Sequence, residues 1–168
     1  TGANAADAWA MDLKSVEADV LTLADALRRR GWHMASAESC TGGLVAAACT
    51  AVAGSSDWFE RGFVSYSNAA KTQMLGVDLG LIAAHGAVSE PVARAMAVGA
   101  LEQAGVDLAV AVTGIAGPGG AVPGKPVGTV WLALAVRGAA DAPPQVTAQL
   151  LQLRGDRAAV REQTVRQA

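Results

Sequence analysis

Residues 37–43, AESCTGG, set a carboxylate, two hydroxyls, a thiol and two glycines between an apolar run at 33–36 and a small, apolar run at 44–52. That order predicts a strand, a tight turn and a helix start, so the chemistry of the chain is expected at a strand end. The first N–H groups of such a helix have no intrahelical partner and face outward with the positive end of the dipole. An anion or a developing oxyanion is stabilised there, and Ser39 or Cys40 stands where a nucleophile is useful. The plainer alternative is an N-cap turn in which Ser39 or Thr41 only caps the helix.

The flanking pattern supplies the framework. Leu13, Val16, Val20, Leu23 and Leu27 recur at spacings of three and four and predict a helix closed by three arginines and a C′ glycine, Gly31. Residues 58–66 are β-branched and aromatic and read as a second strand, ending in the turn Ser67-Asn68. Short helices follow at 69–75 and 79–84. A longer one runs to about 104, with Ser89 as N-cap and Glu90 and Pro91 in its first turn. Residues 108–112 form a continuous apolar strand feeding the glycine-rich loop 114–120. Two further strands, 128–137 and 146–154, are close enough in sequence to be antiparallel neighbours, and Asp156 caps a last helix over 157–167. The order implies an α/β fold, a three-layer α/β/α sandwich on a mixed β-sheet.

Residues 11–168 are expected to form one domain. Residues 1–10 lack the basic and apolar regions of a signal peptide and read as a non-native or disordered leader, with Met11 as the native start. Apolar runs are interrupted before the ~18 residues a membrane span needs, so no membrane partner is expected. A net charge of −2, with its one basic cluster explained as a helix end, argues against nucleic acid as the main partner. Cys40 and Cys49 share no helix face, which fits a reducing cytoplasm.

Several chemistries are weakened by what is missing. Residues 119–125 match the first seven positions of a P-loop, but Pro126 stands where a magnesium-binding hydroxyl is required and a strand follows, so nucleoside triphosphate hydrolysis is not expected. The glycines then serve close approach to a ligand or a flexible connection. His33 and His85 are isolated and no metal site is expected. A Ser-His-acid triad requires His85, which reads equally as a surface histidine. Of the three lysines, Lys14 falls on a solvated helix face and Lys125 in the glycine-rich loop, leaving Lys71 near Tyr66. A lysine desolvated at a strand end loses its proton readily and can deprotonate a serine. Tyr66 can relay that proton or bond the leaving group, the alternative being an ordinary surface lysine and strand-end tyrosine. Glu38 orders the turn, binds a substrate hydroxyl or forms a salt bridge; Thr113 positions substrate or ends its strand.

Five blocks, AESCTGG (37–43), YSNAAKTQMLGV (66–77), HGAVSEPVA (85–93), AVTGIAGPGG (111–120) with KPVGTV (125–130), and LRGDRAAVREQTV (153–165), together resemble the CinA C-terminal domain family. The resemblance covers residues 16–165, without the CinA N-terminal domain, and points to the stand-alone nicotinamide-nucleotide amidohydrolases. It implies hydrolysis of nicotinamide mononucleotide to nicotinate mononucleotide and ammonia, in pyridine-nucleotide recycling, by a serine/lysine mechanism with neither metal nor cofactor. Carried over by motif, Ser39 is the nucleophile and Lys71 the base, Tyr66 assists, and N–H groups around Cys40 to Gly42 hold the oxyanion. Substrate contacts are expected from Glu38, Cys40, Thr41, Gly42, Thr113, Gly114, Arg154 and Arg157. The partner is a small nucleotide, and a homo-oligomer is the expected assembly. Two rivals remain, a nucleotide-binding module without turnover, linked to competence or DNA damage, and an amidase or esterase acting through Cys40.

Overall fold

The computed structural model describes residues 11–168, and the expectation for residues 1–10 lies outside them. A 3₁₀ turn at Leu13–Val16 leads into α1 (Glu17–Arg30), which ends on Gly31 at φ +64°. There follow β1 (Met34–Glu38), α2 (Leu44–Thr50), β2 (Phe59–Val64), α3 (Asn68–Leu75), α4 (Leu79–His85), α5 (Glu90–Ala104), β3 (Leu108–Gly114), β4 (Thr129–Val136), β5 (Gln145–Gln152) and α6 (Arg157–Gln167). None of the described helices is long and apolar enough to cross a membrane.

The sheet order is β2-β1-β3-β4-β5. β1 is parallel to both of its neighbours, while β4 is antiparallel to β3 and β5, as the short 137–144 connection requires. Strand side chains alternate between two helical layers, giving the three-layer sandwich on a mixed sheet. Met34, Val110, Val112, Val130 and Leu132 pack toward α1, α2 and α6. The opposite face presents six alanines, Ala35, Ala37, Ala109, Ala111, Ala133 and Ala135, to α5 and its neighbours α3 and α4.

Small residues on the sheet let α5 approach it closely, and the end of α3 crowds α5 at Gly99. A Cβ on Gly99 would stand 2.0 Å from the Leu75 carbonyl oxygen. Glycine within a helix costs about 1 kcal/mol against alanine, yet Gly99→Ala is expected to destabilise by about 2 kcal/mol, because backbone cannot yield as a side chain can. Calorimetry should show Tm falling by roughly 4–8 °C. An unchanged Tm would mean that α3 slides freely over α5.

Two sequence expectations shift. β1 continues through Glu38, where the turn was expected to have begun, because all five of its residues are buried and pair with both neighbours. Ser89 occupies the N-cap position of α5 without capping it, since its hydroxyl donates to the Gly86 carbonyl at 2.8 Å. Beyond β1 the chain turns toward β2 through α2, and beyond β3 it turns away toward β4, so a crevice opens where the C-terminal ends of β1 and β3 part. Open sheets bind ligands at such a divergence.

Candidate active site

Glu38 fixes the turn from below. Fully buried, its carboxylate accepts from the Thr41 hydroxyl at 2.6 Å and from the N–H groups of Gly43, Val45 and Ala46 at 3.1, 2.9 and 3.0 Å. It therefore fills the N-terminus of α2, where the sequence left room for an external anion. The Glu38 and Thr41 side chains bond each other inside the protein and are not placed to contact a substrate. Gly42 has φ +59° and donates its N–H to the Ser39 carbonyl, so it too is engaged within the turn. Glu38→Ala would strand these donors and is expected to cost about 3 kcal/mol or more. Denaturant unfolding measures this; the loss should be smaller in Glu38→Gln, which keeps one acceptor oxygen, and equal losses in the two variants would contradict the bonding scheme.

The same turn holds Ser39 at the end of β1, its N–H bonded to the Val112 carbonyl at 3.0 Å. Lys71 comes from the first turn of α3, which Ser67 caps by accepting from the Ala70 N–H. Its side chain is 1% exposed, and Nζ lies 3.0 Å from Ser39 Oγ, 3.0 Å from the Ser65 carbonyl oxygen and 3.2 Å from that of Tyr66. Among the described residues no carboxylate lies within ion-pair reach of it. Burial holds the Lys71 ammonium below the usual lysine range. A neutral amine in this place has two hydrogens for the two carbonyls and a lone pair facing the serine hydroxyl. The two carbonyls carry no signal in the sequence, since any residue types at 65 and 66 would supply them.

A cavity of about 200 Å³ opens over the pair, with Cys40, Tyr66, Thr113, Gly114 and Arg157 in its wall. Gly114 is needed there because a Cβ would meet Val130 Cγ2 at 2.6 Å. The Thr113 hydroxyl donates to the Ala87 carbonyl at 2.9 Å and ties β3 to the loop before α5. Tyr66 is 58% exposed, and its phenol oxygen accepts from Arg157 Nη2 at 3.0 Å instead of touching Lys71 or Ser39. The expected Tyr66 proton relay is not formed; the residue reaches Lys71 through its backbone. Arg157 also donates from Nη1 to the Gly117 carbonyl at 2.8 Å, joining α6 to the glycine-rich loop.

Other candidates fall away from the cavity. Arg154 is exposed and contributes only its carbonyl, to Gln163. His85 is exposed at the end of α4, and His33 precedes β1 at the opposite end of the strand from Ser39, so no Ser-His pair is formed. Burial pushes the Cys40 thiol up to about 11, which makes it a poor source of thiolate near neutral pH. Lys125 donates to the His85 carbonyl at 2.9 Å, and β4 rather than a helix follows its loop, unlike a P-loop. Among the described residues no group of three or more His, Cys, Asp or Glu side chains is placed to hold a metal ion. A larger cavity of about 260 Å³ lies among Val16, Val20, Met34, Val45 and Cys49. It holds none of the candidate residues. One arginine at the turn escaped the sequence reading: Arg161 Nη2 donates to the Thr41 carbonyl at 3.1 Å.

Comparison with known proteins gives a consistent picture. Residues 17–168 match a family described as the CinA C-terminal domain. A nicotinamide-nucleotide amidohydrolase PncC from Enterobacter agglomerans is 54% identical over 138 residues, covering 82% of this chain and 81% of its own length. A CinA-like protein from Mycolicibacterium vanbaalenii is 55% identical over 134 residues, 80% of this chain, which spans only 31% of that relative. Among solved structures, competence damage-inducible protein A from Klebsiella pneumoniae superposes with a TM-score of 0.85 at 40% identity, over 91% of each chain.

Proposed function

The chain belongs to the CinA C-terminal domain family, and on that footing we propose that it is an amidohydrolase converting nicotinamide mononucleotide to nicotinate mononucleotide and ammonia through a serine/lysine pair. The observation that carries this reading is the 3.0 Å contact between Ser39 Oγ and the Nζ of a buried Lys71 that has no carboxylate partner among the described residues. A hydrolase relative of similar length at 54% identity supports the substrate.

In this mechanism Ser39 passes its hydroxyl proton to neutral Lys71 as Oγ bonds to the carboxamide carbon. Lys71 returns the proton to the amide nitrogen, the C–N bond breaks, and ammonia leaves an ester on Ser39. Water then yields a proton to Lys71 and attacks that ester. Lys71 reprotonates Ser39 Oγ, and the nicotinate product departs. Gly42 and Gly43 N–H groups are engaged inside the turn, which narrows the oxyanion donors to the N–H groups of Cys40 and Thr41. A preorganised donor of this kind contributes about 3–4 kcal/mol. Arg157, at the cavity wall without a carboxylate partner among the described residues, is the group for the substrate phosphate. Tyr66 positions its guanidinium.

The test is ammonia release from nicotinamide mononucleotide by the purified protein in excess chelator. Turnover supports the reading. A silent protein that is nevertheless stabilised by the nucleotide would be a binding module, and the catalytic roles would be withdrawn. kcat/KM should rise with pH through a single ionisation below the usual lysine value, because only neutral Lys71 accepts the serine proton. A rate that falls as pH rises through that range would contradict the assignment.

A further inference from the structure

The turn that carries Ser39 is gripped by two groups that do not pair with each other. Glu38 takes the Thr41 hydroxyl and three N–H groups from within the sheet. From α6, Arg161 donates from Nη2 to the Thr41 carbonyl at 3.1 Å, 120 residues away in sequence. The same Nη2 lies 3.7 Å from the position a Gly42 Cβ would take, so the guanidinium rests against the turn itself. Its charge also reaches Cys40, where it opposes the rise that burial imposes on the thiol. Arg161 Nε is buried with no hydrogen-bond partner, and no carboxylate pairs with the guanidinium among the described residues. An arginine is seldom half-buried with neither a carboxylate nor a full set of acceptors unless its cation is used where it stands.

Resting on the amidohydrolase reading, we propose that Arg161 is a positioning residue for the nucleophile turn. By drawing on the Thr41 carbonyl it fixes the Thr41–Gly42 peptide plane, while Glu38 holds the Thr41 hydroxyl; with Thr41 pinned at both points, its own N–H and the Cys40 N–H one peptide earlier keep their aim at the oxyanion. Its cation adds to the field felt there. Arg157, one helical turn earlier on the same face of α6, faces the cavity and serves the substrate; Arg161 faces the turn and serves the enzyme.

The test compares wild type, Arg161→Lys and Arg161→Met in steady-state ammonia release and in amide hydrogen exchange of residues 40–43, well below each Tm. Misplacement of a catalytic group by about 1 Å costs on the order of 100-fold, so Arg161→Met should lose about 10- to 100-fold in kcat with KM nearly unchanged. Arg161→Lys, which keeps a donor and the charge, should recover part of that loss. Exchange at 40–43 should quicken in Arg161→Met while the β3 amides stay protected. A large rise in KM at constant kcat would make Arg161 a substrate contact and overturn the proposal, as would an unchanged kcat. If wild type releases no ammonia, the amidohydrolase reading falls by itself. The exchange data then decide the positioning role, and protection at 40–43 equal in wild type and Arg161→Met overturns it.

Discussion

Ser39→Ala is expected to lower kcat for ammonia release by about 10⁴- to 10⁶-fold, the scale seen when a hydrolase loses its nucleophile but keeps its oxyanion donors. The fold should scarcely notice. Ser39 sits at a strand end whose anchoring bond is its own N–H to the Val112 carbonyl, which alanine retains. Its hydroxyl makes one side-chain bond, to Lys71, so Tm should change little and the nucleotide should still stabilise the variant. The pairing of intact binding with absent turnover is what distinguishes a lost nucleophile from a damaged site. Retention of activity in Ser39→Ala, together with its loss in Cys40→Ser, would transfer the nucleophile to the thiol.

Lys71→Met is expected to cost about 10²- to 10⁴-fold in kcat, the usual worth of a positioned general base. Methionine preserves the length and apolar stem that α3 packs into the core, while removing the amine. The ascending limb of the pH profile assigned to Lys71 should vanish in the residual activity. Lys71→Arg should not rescue, because a guanidinium never gives up its proton in this range and cannot offer the serine a lone pair. Should the arginine variant keep more than a few per cent of wild-type activity, Lys71 acts as a cation and not as a base.

The framework was readable where local chemistry decides it. Asp156 caps α6 by accepting from the Ala159 N–H at 2.9 Å, and the helix runs over the residues its pattern predicted. Gly31 ends α1 in the left-handed conformation for the same kind of reason. The reading failed where tertiary pairing overrides local signals. Glu38 looks like a turn residue in sequence, yet pairing to β2 and β3 draws it into β1 and turns its carboxylate inward. The sequence sets Lys71 near Tyr66, and the contact between them uses the tyrosine's carbonyl, which has no sequence signature. Arg161 carried a usable signal that went unread. It lies four residues after Arg157, so two arginines share one face of α6 in a chain with few cations elsewhere on that helix.

The order in which the site's parts occur along the chain has a consequence for synthesis. Ser39 and Lys71 precede β3 in the chain, but β1 lies between β2 and β3, and its second ladder cannot be completed until residue 112 has been made. Arg157 and Arg161 arrive later still. A ribosome-bound chain therefore carries Ser39 without the strand that anchors it until β3 has emerged, and without the helix that contacts its turn until α6 has followed. If the amidohydrolase reading holds, competence requires α6 to dock, and truncations ahead of that helix should yield chains that retain the serine and lysine and hydrolyse nothing.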